Sequence, residues 1–248
     1  MVITSRNNPF IKRILSLREK KYRREYGEYI IEGVKQIREA VNGGCDFVSI
    51  VCSENYKGER FLPEKEQLVS ESVFEKLSEE SAPQGILAVL KMPDCSVASP
   101  TGNVLLLDAV SDPGNLGTII RTANAAGYTD IYLRNCTDPF SSKSVRASMS
   151  GIFFVRLHIG TQEEVSDVLE DIPKICADMN GENVFRFEAP QRFCLVIGNE
   201  ANGVSDEVRA LCKYTVRIPM RESCESLNAG VSAAVLMYQL GAEKFRKL

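Results

Sequence analysis

The chain has 248 residues, room for one large domain or for a medium and a small one. Apolar residues make up 44% and charged residues 25%, an ordinary globular composition with enough apolar side chains for a substantial core. The net charge of −3 hides an asymmetry: residues 1–24 hold eight basic residues and one acid, Glu19, for a local +7 that leaves −10 on the rest.

No apolar run approaches the ~18 residues of a membrane span. The opening MVITSRNNPFIKRIL lacks the apolar stretch and cleavage site of a secretory signal, so a cytoplasmic location and no membrane partner are expected. The eight cysteines include no C-x-x-C pair, and several lie in strand-like runs, which predicts reduced thiols. With His158 as the single histidine, and set in the alternating run FFVRLHIG, a Cys/His metal site is not expected and a structural histidine is.

The predicted elements begin with NPFIKRILSLREKKYRREY, apolar at helical spacing through Phe10, Ile14 and Leu17, with Asn8 as cap before Pro9. Its basic residues Lys12, Arg13, Lys20, Lys21, Arg23 and Arg24 are interleaved with or followed by Tyr22, Tyr26 and Tyr29. Cations can follow phosphates while rings stack on bases, so this stretch is a candidate RNA contact; a solvated helix face is the plain alternative. EYIIEG and FVSIVCS read as strands flanking the helix VKQIREAVNGG. SESVFEKLSEE reads as a short helix and QGILAVLKM as a buried strand.

The stretch MPDCSVASPTGN is rich in Pro, Ser, Gly and Asn and has no periodicity. It divides the chain into a small α/β domain over 1–95, a linker over 96–103 and a second domain over 104–248. In the second, the strands VLLLDAV, DIYLRN, FFVRLHIG, IPKICADM, FCLVIG and YTVRIP carry few polar residues and are joined in several places through helices (TIIRTANAAG, DEVRALC, AGVSAAVLMYQL). That pattern predicts α/β architecture with a parallel sheet covered on both faces, and a ligand beyond the carboxyl ends of its strands.

Three strand-loop-helix units carry the candidate chemistry: DPGNLGTIIR (112–121), IGNEANG (197–203) and IPMRESCESLN (218–228). None is a Walker A loop or a dinucleotide fingerprint, and no acidic pair or carboxylate cluster is placed for glycosidase or Mg²⁺ chemistry. The polar residues that stand out are Asn115, Arg121, Glu200, Ser226 and Asn228, a set suited to a neutral or cationic small molecule. Asn115, Ser226 and Asn228 are also plausible helix caps, and Glu200 a helix-start carboxylate.

These three motifs, in order, with SSKSVRAS (141–148) between the first two, resemble the SpoU, or TrmH-like, RNA 2′-O-methyltransferases of the SPOUT class. Residues 1–95 resemble that family's L30e-like RNA-binding domain. The resemblance implies a carboxyl-terminal domain with a deep trefoil knot, a homodimer, and S-adenosylmethionine as methyl donor. It implies transfer to a ribose 2′-hydroxyl, with ribosomal RNA favoured over transfer RNA. It assigns the cofactor loops to Ile197, Gly198, Asn199, Ile218, Met220 and Leu227, with Gly198 permitting close backbone approach. It makes Arg121 the residue beside the reacting hydroxyl, acting as a base or by stabilising developing negative charge. Lys143 and Arg146 become candidate phosphate contacts. Three positions depart from the family pattern: Glu222 where Gly is usual, Ser142 in place of Pro, and Ser150 where Gly is common. The alternatives are a non-catalytic RNA-binding protein, blocked from the cofactor by Glu222, and an enzyme of the same class that methylates a base.

Overall fold

The computed structural model describes residues 2–223 and 226–242, and divides into two compact units. The first comprises Met1–Asp94 with Asp138–Phe153; the second comprises Cys95–Thr137 with Phe154–Leu248.

In the first unit, β1 (Val2–Ile3) precedes two helices, α1 (Pro9–Ser16) and α2 (Lys20–Tyr26), where the sequence reads as one. Asn8 caps α1 as expected, its side chain accepting from Phe10 N. The break at residues 17–19 frees backbone carbonyls, and two of these, on Leu17 and Arg18, each accept from the Arg23 guanidinium at 2.7 Å. Then follow β2 (Glu28–Glu32), α3 (Val34–Asn42), β3 (Phe47–Ser53), β4 (Glu66–Val69), α4 (Glu71–Leu77) and β5 (Ile86–Lys91). The five strands form a mixed sheet in the order β1-β4-β3-β5-β2. Ile11, Ile14 and Leu17 pack with Val73, Phe74 and Leu87 on it, each such burial contributing roughly 1.5–3 kcal/mol. The short helix α5 (Ser142–Ala147) packs with this unit, Phe140 meeting Tyr29 at a 5.0 Å ring separation.

The second unit opens with β6 (Val104–Asp108) and α6 (Pro113–Ala126), followed by β7 (Asp130–Arg134), β8 (Arg156–Ile159) and α7 (Gln162–Val168). Next come β9 (Lys174–Asn183), β10 (Cys194–Ile197), α8 (Asp206–Arg209), β11 (Tyr214–Arg217) and α9 (Ala229–Leu240). The sheet order is β11-β9-β10-β6-β7-β8, and every pairing is parallel, as the apolar strands predict. Chain order runs outward from β6 to β7 and β8, then restarts on its other side. The boundary between β6 and β10 is therefore the topological switch, where open parallel sheets bind ligands.

Helix α6 starts five residues earlier than the sequence suggests. Asp112 caps it, accepting from Asn115 N at 2.9 Å, and Pro113 occupies the first helical position. The supposed Gly-rich loop is thus the first turn of a helix, and Asn115 lies inside that turn instead of capping it. Residues 96–103 have no helix or strand but are held to the second unit. Ser96 O bonds His158 Nδ1 at 2.9 Å, Thr101 N donates to Asp130, and Val97 packs on the core. His158 is 4% exposed, bonds Asp130 through Nε2 at 3.0 Å and stacks on Tyr132, a structural placement. No helix among the described residues is long and apolar enough to cross a membrane. Cys224 lies outside the described residues; the other seven cysteines are free thiols.

Candidate active site

A cavity of about 430 Å³ lies at the carboxyl ends of β10 and β11 and beside residues 177–179 of β9, closed on one side by the start of α9. Ten of the residues singled out in the sequence line it: Asn115, Ile197, Gly198, Asn199, Glu200, Ile218, Met220, Ser226, Leu227 and Asn228. Residues from three separated motifs converge there because each motif follows, or lies close after, a strand of the same parallel sheet.

A chain of hydrogen bonds locks the three motifs together. Asn228 caps α9, its Oδ1 accepting from Gly230 N at 2.9 Å and Val231 N at 3.2 Å. Its Nδ2 donates to Asn115 Oδ1 at 2.7 Å, and Asn115 Nδ2 donates to Glu200 Oε1 at 2.9 Å. The Glu200 carboxylate also accepts from Ser111 N, Ser111 Oγ and Asp112 N at 2.9–3.1 Å. Burial alone would raise its pKa. The bonds from Asn115 and from the backbone N–H groups of Ser111 and Asp112 outweigh it, holding the carboxyl down to about 2. Asn199 ties its loop back on itself: Oδ1 accepts from Ala201 N and Asn202 N, and Nδ2 donates to Ala109 O at 2.9 Å.

Gly198 is required by that same loop. A Cβ there would fall 2.1 Å from the Gly203 carbonyl carbon, so the close approach is made by the protein's own chain. The need for glycine expected at this position is real, but it comes from loop closure.

Arg121 does not line the cavity. It lies eight residues past Pro113, about 12 Å along the helix and beyond the second turn, not one turn in. Its side chain is exposed, on the outer face of α6 with Thr118 and Ala125. Glu222 is exposed and also outside the lining.

The basic residues of the first unit separate into two groups. Lys12, Lys20, Lys21 and Arg24 are exposed, with Lys21 5.3 Å over the Tyr22 ring and Tyr22 stacked near Tyr26 at 6.1 Å. Arg13 is exposed, pairs with Glu28 at 2.7 Å and lies 4.8 Å over the Tyr26 ring. Arg23 is 5% exposed: besides the two carbonyls, its guanidinium binds Asp138 at 2.6 and 3.0 Å, so no donor edge is left for a phosphate. Tyr29 is buried as well. On α5, Lys143 is exposed, while Arg146 pairs with Glu80 at 3.4 Å and Glu79 at 3.7 Å.

Two family models match the chain. The SpoU rRNA Methylase family model matches residues 102–238, and a model described as the MRM3-like substrate binding domain matches residues 8–88. The chain belongs to the SpoU rRNA methylase family. It is 32% identical to the 23S rRNA (guanosine(2553)-2′-O)-methyltransferase RlmP of Bacillus subtilis, over 96% of this chain and 98% of that protein. It is also 32% identical to a 23S rRNA (uridine(2479)-2′-O)-methyltransferase of Streptomyces viridochromogenes, over 96% and 90%. Among solved structures, an AdoMet-bound rRNA methyltransferase from Sinorhizobium meliloti superposes with a TM-score of 0.88 at 26% identity, covering 98% of each chain.

This SpoU methylase also lines its cavity with residues that the motifs did not reveal: Ala177, Asp178, Met179, Val216 and Arg217 among them. One signal was available. Asp178 is the penultimate residue of the strand-like run IPKICADM, and a polar residue near the carboxyl end of an apolar run in a parallel sheet is where such sheets place ligand contacts.

Proposed function

We propose that this protein transfers a methyl group from S-adenosylmethionine to a ribose 2′-hydroxyl of ribosomal RNA. The observation that carries the reading is similarity along nearly the whole chain to two 23S rRNA 2′-O-methyltransferases. The cavity fits the donor. Its volume lies in the range of small-molecule sites, and Ile197, Ile218, Met220 and Leu227 supply apolar walls suited to an adenine ring. The donor supplies an electrophilic methyl on a sulfonium. Glu200, anionic at neutral pH, adds negative potential beside the pocket, while Asn115 and Asn228 fix the loops around it. Arg121 acts through its guanidinium on developing negative charge at the ribose oxygen and on the neighbouring phosphate.

Finer features belong to the same proposal. The carboxyl-terminal segment forms the family's trefoil knot, and the first unit is an L30e-like RNA-binding domain that works in the cytoplasm. Its exposed Lys12, Arg13, Lys20, Lys21 and Arg24, with Lys143, follow RNA phosphates while Tyr22 and Tyr26 offer rings for stacking. A homodimer is supported by α9. One face is buried through Ala233, Leu236 and Met237, yet Val231 and Tyr238 are 48% and 44% exposed on another. Arg121 lies on a different helix, on the exposed face of α6 with Thr118 and Ala125; were a second copy to cover that face too, Arg121 would lie at a subunit boundary.

The test is a sequencing-based map of ribosomal 2′-O-methyl sites in cells with and without this protein. One site is expected to disappear with the protein; an unchanged map favours the non-catalytic reading. The placement of Glu222 outside the cavity lining speaks for cofactor use.

A further inference from the structure

Strand β9 makes an excursion at the cavity. On β11, Thr215 pairs with Cys176, but the next residue, Val216, pairs with Glu182. Residues 177–181 therefore bulge from the ladder over the end of the sheet. Bulges of this kind re-aim side chains beside active sites. Gly181 closes the excursion: a Cβ there would fall 2.5 Å from Val216 N, so no side chain fits. The result is that Ala177, Asp178 and Met179 form one wall of the cavity. On the other side, β9 pairs in parallel with β10 up to Cys176 and Val196, and both Asp178 and Gly198, just beyond that last pair, line the cavity.

We propose that Asp178 accepts a hydrogen bond from a ribose hydroxyl of the methyl donor; this rests on the cofactor reading given above. The Asp178 side chain is 15% exposed and is paired with Arg209, which neutralises its charge. Its Oδ1 accepts from Asn180 N at 2.9 Å. The Asn180 side chain bonds the carboxyl group as well, and because a carboxylate offers about four acceptor sites, these three bonds still leave one for a ligand. A carboxylate already neutralised by a guanidinium gives little extra attraction to a sulfonium or amino group, but keeps lone pairs for a neutral hydroxyl donor. Its place in the sheet agrees. Asn115, Glu200 and Asn228 cluster at the β6 side, and β9 lies two strands away, about 10 Å. That separation sets Asp178 beside the nucleoside end of the donor, next to the apolar wall of Ile197 and Ile218.

The experiment is calorimetric binding of S-adenosylhomocysteine and of its 2′-deoxy and 3′-deoxy ribose analogues to the full chain. Wild type is expected to bind the parent about tenfold more tightly than at least one analogue. In Asp178→Ala that ratio should fall to within about twofold. In Asp178→Asn, an isostere that keeps a neutral acceptor and serves if the alanine variant fails to fold, it should fall at least about threefold. A merely structural role would weaken all three ligands alike and leave the ratio unchanged, which would overturn the assignment. A wild-type ratio near one would also overturn it. No binding of S-adenosylhomocysteine to wild type would instead remove the cofactor reading itself.

Discussion

Ser150 and Arg121 make opposite demands on the chain. Ser150 sits at φ +74°, directly after Met149 at φ +45°, in the left-handed region that favours glycine. It is 4% exposed, and its hydroxyl has no hydrogen-bond partner. Strain and an unpaired buried hydroxyl each destabilise by about 1 kcal/mol or more, partly offset by the extra freedom glycine brings to the unfolded chain. Ser150→Gly should therefore raise stability by about 1 kcal/mol, read as a higher urea midpoint; an unchanged or lower midpoint contradicts this. Arg121 stabilises nothing visible, being exposed and outside the cavity lining. Arg121→Ala is expected to reduce turnover on RNA by about 100-fold or more while the donor Kd stays within about threefold. A large loss of donor affinity would move Arg121 into the cofactor site. Ten cavity residues were legible because their motifs punctuate strand ends. The role of Gly198 was half legible: a glycine was needed, but the chain segment that crowds it lies five residues further on.

At the scale of elements, the misread helices share a cause. The pattern of Phe10, Ile14 and Leu17 runs unbroken through what becomes two helices, because the break is stabilised by Arg23 and, 115 residues away, Asp138. No local signal could report that pair. With Arg23 buried and Asp138 largely so, Arg23→Ala leaves Asp138 uncompensated and should cost about 3 kcal/mol in urea unfolding, while Lys21→Ala on the exposed face should change stability by less than about 0.5 kcal/mol. Equal small effects would deny the structural role. Helix α6 was misread for another reason: Gly114 and Gly117 suggested a loop, although Asp112 and Pro113 already formed a start signal. Glu200 joins that helix to the loop after β10. Its folded pKa of about 2 lies below the ordinary 4.5, so its stabilisation is complete above about pH 4.5 and is lost as pH falls toward 2. The thermal midpoint of wild type should accordingly fall toward that of Glu200→Gln over this interval. A midpoint difference constant across it would refute the linkage.

For the whole molecule, the order β11-β9-β10-β6-β7-β8 follows from parallel pairing and from the restart of the chain beside β6. The apolar strands announced the parallel sheet, and the motifs announced which residues line its cavity. The 177–181 excursion was hidden, because a bulge depends on register against β11 and leaves no periodicity of its own. The charge asymmetry of the sequence agrees with the proposed division of labour, a cationic amino-terminal stretch toward RNA and a less basic carboxyl-terminal part around the donor. The most direct test of that account is transfer of an isotopically labelled methyl group from S-adenosylmethionine to ribosomal RNA, followed by digestion and mass spectrometry of the nucleosides. The label should appear in a 2′-O-methylribose. Label on a base, or no label with folded protein and intact donor, would contradict it.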